Sequence, residues 1–99
     1  MTENIKSILW DFIENPIIVA SWGISEINVK HNSISFAVSA IKYVGKVIIE
    51  DNGTFVSIKL NNSNFSTSNL CIVTSAIDDL IENGPNYSRA LKKWVLESL

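Results

Sequence analysis

The sequence predicts an α+β domain: an N-terminal helix, an antiparallel four- to five-stranded β-meander and two C-terminal helices, with the helices packed on one face of the sheet. Three observations predict it. Apolar residues recur at helical spacing at both ends of the chain, the period falls to two between Ile17 and Leu60, and the turns within that stretch are too short to carry parallel crossovers. The chain has 99 residues, 46% of them hydrophobic and 18% charged. That is one domain's length, residues 1–99, and a composition rich enough in apolar side chains to fold around a core without a disulfide or metal staple.

The first helix is expected over residues 3–14. Ile5, Ile8, Leu9, Phe12 and Ile13 follow i, i+3, i+4, i+7, i+8, the stripe of a helix lying on a core. Thr2 is placed to cap it, Glu3 sits in the first turn where the helix dipole favours an anion, and Asn15-Pro16 ends it. The following IIVASW reads as a short strand or a connector.

Alternation then takes over. ISEINVK places Ile27 and Val29 on one side, His31-Asn32 makes a turn, and SISFAVS continues with Ile34, Phe36 and Val38 against a row of serines. KYVGKVIIE follows, then Asp51-Asn52-Gly53, a hairpin signal because Asn and Gly tolerate positive φ, then TFVSIKL. The inward row is expected to hold Ile27, Val29, Ile34, Phe36, Val38, Val47, Ile49, Val56, Ile58 and Leu60. In the same register Ile24, Val44, Ile48 and Phe55 fall on the outer face among Ser, Lys and Glu.

NNSNFSTSN, residues 61–69, reads as a polar loop containing Phe65. A second helix runs from there to about Asn83 on the stripe Leu70, Val73, Ile77, Leu80 and Ile81, with Asp78, Asp79 and Glu82 opposite. Gly84-Pro85 stops it. Asn86 can cap a third helix with Tyr87, Ala90, Leu91, Trp94 and Val95 towards the core and Leu96 pointing away.

Charge and residue chemistry exclude several functions. The net charge is −2, and the one basic cluster is Arg89, Lys92 and Lys93, so a nucleic-acid partner is not expected. The longest apolar runs, PIIVA and KVIIE, fall far short of the ~20 residues of a membrane span. Glu3 and Asp11 near the N-terminus are unlike a secretory leader, and Cys71 has no second cysteine to pair with; a cytoplasmic location is expected. Abundant Ile, Asn and Lys against a single Arg are what AT-rich coding DNA gives, which points to a bacterial or phage source.

A catalytic set is hard to assemble. His31 is the only histidine and falls at a turn, and one His with one Cys cannot make a zinc site. Helical spacing puts Asp78 and Glu82 on the stripe of Cys71, where carboxylates disfavour a thiolate. Asp78, Asp79 and Glu82 read as a solvated helix face, and the isolated glycines form no phosphate loop. No cofactor, metal or catalytic residue is expected.

What remains is a small domain that acts by contact. The expectation is a non-catalytic protein-interaction or self-associating module, binding a protein partner or forming a homo-oligomer. Trp10, Ile24, Val44, Ile48, Phe55, Phe65 and Leu96 are the candidate interface residues because each is an apolar group at an outward or loop position. The alternative is a small-ligand binder or enzyme with its site on the open sheet face, using Ser33, Ser35, Ser57, Lys46 and Lys59. A third, a nucleic-acid accessory protein, would use Arg89, Lys92 and Lys93.

Overall fold

The computed structural model of the chain describes residues 1–61 and 63–83. The elements run α1 (Glu3–Glu14), α2 (Pro16–Ala20), β1 (Ile24–Val29), β2 (Ser33–Ser39), β3 (Val44–Asp51), β4 (Val56–Lys59), β5 (Asn64–Thr67), a 3₁₀ turn (Leu70–Ile72) and α3 (Val73–Asn83). The strands form one antiparallel sheet in the order β1-β2-β3-β4-β5, an open meander. The mixed α+β class therefore holds, with five strands and a helix at each end of the described chain. The second C-terminal helix expected after Asn86 lies outside the described residues.

The local chemistry accounts for α1. The Thr2 hydroxyl accepts from the Ile5 amide at 3.3 Å, Glu3 occupies the first turn, and Asn15 closes the helix with its amide on the Phe12 carbonyl. Ile5 and Ile8 are fully buried, with Leu9 and Phe12 packed at the margin of the same core. Ile13 departs from the expected stripe. It lies one residue beyond Phe12 on the rim of the helix and is 64% exposed. The segment after Asn15 is neither strand nor connector: Pro16 starts a five-residue helix, its fixed φ suited to the first turn.

Inward side chains of the sheet meet α1 and α3 in one cluster that includes Ile34, Phe36, Val38, Val47, Ile49, Val56, Ile58, Val73, Ile77 and Ile81. Trp22 is its largest fully buried side chain. Its ring stacks on Phe36 at 6.1 Å and meets Phe12 edge-on at 5.7 Å, while the indole N–H donates to Asp78 Oδ1 at 3.0 Å. Asp78, expected on a solvated face, thus ties α3 to the bend before β1. The Thr74 hydroxyl donates to the Asp11 carboxylate and ties α3 to α1.

Two corrections to the strand assignment follow from backbone geometry. In β1, Ile24 pairs with Val38 and Val29 with Ile34, yet five positions separate Ile24 from Val29. An unbroken strand would put them on opposite faces. A β-bulge between Ser25 and Asn28, with Glu26 at φ 55°, inserts the extra residue that brings both to the inward face, where Ile24 packs on the core while Val29, expected in it, stays 38% exposed on the edge strand. Ile27, placed inward by simple alternation, is instead 63% exposed. The second correction is β5. NFST pairs with β4, Phe65 opposite Ile58 and Thr67 opposite Val56, so two buried side chains make an edge strand out of a polar segment.

The far end of the sheet is clasped to α1. The Thr2 amide donates to the His31 carbonyl at 2.9 Å, and Asn4 Nδ2 donates to Asp51 Oδ1 at 3.0 Å and to the Gly53 carbonyl at 3.2 Å. Hydrogen bonds from Thr2 first, then Asn4 and the Gly53 amide, hold the Asp51 carboxyl below the ordinary Asp range against a small opposing effect of burial.

Candidate functional site

The outer face of the sheet is built from short polar rows. Asn28, Ser35, Ile48, Lys59 and Asn64 lie side by side across the strands, and Ser33, Glu50, Ser57 and Ser66 form the next row. These groups engage one another. Lys59 Nζ lies 3.0 Å from Glu50 Oε1, Asn52 Nδ2 donates to Ser57 Oγ at 3.0 Å, and Ser57 and Ser66 hydroxyls are 3.5 Å apart. The serine row of β2 lies beside these bonded groups on a polar face in which Ser33, Ser35 and Ile48 are half-buried.

The candidate interface residues scatter accordingly. Ile24 faces the core, because the bulge reverses its side, and Phe65 is buried opposite Ile58. Val44, at the start of β3, is exposed beside the β2–β3 turn, and Phe55 is half-exposed in the β3–β4 turn, where its carbonyl accepts from the Asn52 amide. Leu96 lies outside the described residues, as do Arg89, Lys92 and Lys93. No contiguous patch joins Ile24, Val44, Ile48 and Phe55, since one points inward and two sit at strand ends.

Trp10 has a different setting. It projects from α1 away from Ile5 and Ile8 and is 63% exposed. Met1, Lys6, Leu9, Trp10 and Ile13 together line a shallow, almost wholly apolar depression along the outer side of the helix. On its other flank Trp10 borders a more polar groove lined by Ser7, Asp11, Glu14, Leu70 and Cys71. The indole is therefore a ridge with an apolar trough on one side and an acidic one on the other. Ile17 on α2, beyond the break at Asn15, is 85% exposed as well. Sequence spacing does not single out Met1, Ile13 or Ile17: it places Ile13 in the core stripe, and PIIVA reads as a strand or connector with no helical phase. The helix-starting proline was the signal that could have found Ile17.

The reactive side chains converge on nothing among the described residues. Cys71 is exposed in the 3₁₀ turn, its amide bonded to Asn69 Oδ1 at 3.1 Å. His31 is exposed in the β1–β2 turn, where its carbonyl accepts from the Thr2 amide. Among the described residues no group of three or more His, Cys, Asp or Glu could hold a metal ion, and no helix is long and apolar enough to cross a membrane. Compared with protein-family models, curated proteins and solved structures, the chain matches none.

Proposed function

We propose that the protein is a non-catalytic interaction module and that its docking surface is the outer side of α1 with the start of α2, centred on Trp10. The observation that carries this is contiguity. Met1, Leu9, Trp10 and Ile13 share one depression, whereas the apolar groups of the sheet's outer face stand apart among bonded polar ones. An exposed apolar patch that includes a tryptophan is costly to leave in water and has the composition of an interface hot spot. On the sheet face Lys59 pairs with Glu50 and Ser57 bonds with Asn52 and Ser66, which gives a partner less to gain there by displacing water.

Sedimentation velocity from micromolar to millimolar concentration tests this. Association is expected in the wild type, lost in the double variant Trp10→Lys/Ile13→Lys and retained in Ser35→Lys/Ser57→Lys. Both variants change exposed or half-exposed positions, and circular dichroism checks that each remains folded. Loss of association in the sheet variant alone would return the docking surface to the sheet.

A further inference from the structure

We infer that Asn52-Gly53, in the turn between β3 and β4, is a self-modification site: the Gly53 nitrogen deamidates Asn52, and the clasp between α1 and the sheet withholds the reaction until it opens. The chemistry needs only these two residues and water. The Gly53 backbone nitrogen gives up its proton to hydroxide and attacks Asn52 Cγ. The Cγ–Nδ2 bond breaks, Nδ2 leaves as ammonia with a proton from water, and a cyclic imide remains. Water then opens the imide at either carbonyl, leaving an aspartate or an isoaspartyl link at position 52.

Both residues are exposed, and nothing lies within 4 Å of where a Gly53 side chain would begin. Crowding therefore does not hold this turn; hydrogen bonds do. Each reacting group is tied to a different neighbour. The Gly53 N–H donates to Asp51 Oδ1 at 2.9 Å. The Asn52 leaving amide donates to Ser57 Oγ at 3.0 Å and to the Glu50 carbonyl at 3.5 Å. A carboxylate on the N–H opposes loss of its proton, because two like charges would then face each other. Asn4 of α1 completes the guard: its Nδ2 donates to Asp51 Oδ1 at 3.0 Å and to the Gly53 carbonyl at 3.2 Å. The reacting pair is held while α1 is docked and released when the start of the helix parts from the sheet. The step is one-way. It removes the donor to Ser57 and sets a further carboxylate next to Glu50 and Asp51, so it marks chains whose clasp has opened.

Peptide mapping tests the site and its guard together. Trypsin cuts after Lys46 and Lys59 and releases VIIEDNGTFVSIK, in which Asn52 is the only asparagine. The full chain is incubated at mildly alkaline pH, native and in urea, and conversion of amide to acid in that peptide is followed by mass spectrometry. Conversion is expected to be slower in the native chain by about tenfold or more, the factor set by one charge-assisted hydrogen bond. Asn4→Ala and Ser57→Ala should each raise the native rate several-fold. Ile8→Val, which weakens the core but leaves the clasp intact, should not, and thermal melts compare the stabilities of the three variants. No conversion in urea would overturn the site. Equal rates in the native and unfolded chains would overturn its protection by the fold. A native rate unmoved by Asn4→Ala, or raised as much by Ile8→Val, would overturn the clasp as the guard.

Discussion

The hydrogen bond between Trp22 and Asp78 can be dissected by a double-mutant cycle with Trp22→Phe and Asp78→Ala. Trp22 is fully buried, and its indole N–H reaches Asp78 Oδ1 at 3.0 Å. A hydrogen bond to a charged acceptor contributes about 1.5–3 kcal/mol, and a residual void adds about 1 kcal/mol for each ~40 Å³ left unfilled. Trp22→Phe keeps an aromatic ring against Phe36 and Phe12 but loses the donor and leaves such a void. It is expected to cost about 2–4 kcal/mol. Asp78→Ala strands the buried N–H without an acceptor, at about 1–3 kcal/mol, less a few tenths regained from the helix propensity of alanine. Because both changes remove the same bond, the double variant should be less destabilised than the sum by about 1–2 kcal/mol. Urea unfolding followed by far-ultraviolet circular dichroism measures all four species without interference from Trp10 or Trp94. Additive costs, within about 0.3 kcal/mol, would refute the bond as the tie between α3 and the bend before β1.

Glu26 holds a left-handed backbone conformation at φ 55° in the β1 bulge, where glycine carries no steric penalty. Glu26→Gly is expected to raise stability by up to about 1 kcal/mol, and Glu26→Val to lower it by about as much or more; thermal melts of the two variants decide the sign. Asp51 gives a pH dependence. Its carboxyl is held below the ordinary range in the folded chain, so its contribution is complete above an unfolded pKa of about 3.9 and is lost as pH falls through the lower folded value. Asp51→Asn should flatten the fall of stability with acidification below about pH 4, measured by urea midpoints; an unchanged slope would refute the Thr2–Asn4–Asp51 clasp.

How much was legible in the sequence depended on whether period or geometry decided the outcome. The cap at Thr2, the extent of α1 and the alternation through β2, β3 and β4 follow from spacing, and they are present at the expected positions. The side of Ile24 was not legible, because a bulge counts one residue twice against its partner strand and leaves no compositional mark when Glu stands where glycine is usual. NFST was hidden by its polarity, since an edge strand with one buried apolar side chain looks like a loop. Trp22 sits at a bend outside any periodic element, so its place at the centre of the core came only from tertiary packing. The candidate site divided the same way. Trp10 was legible from its angle to the core stripe, whereas its neighbours Met1 and Ile13 needed the helix margin to be placed, and Ile17 needed the short helix begun by Pro16.

The most direct measurement of the α1 surface uses the indoles of Trp10 and Trp22 as an internal pair. In ¹⁵N-correlated spectra recorded from micromolar to millimolar concentration, the Trp10 indole N–H and the amides around Lys6, Trp10, Ile13 and Glu14 should shift. The Trp22 indole N–H, bonded to Asp78 inside the core, should stay fixed. Shifts confined to Ser35, Ile48 and Ser57 on the sheet, or a Trp10 signal that never moves, would contradict association through α1.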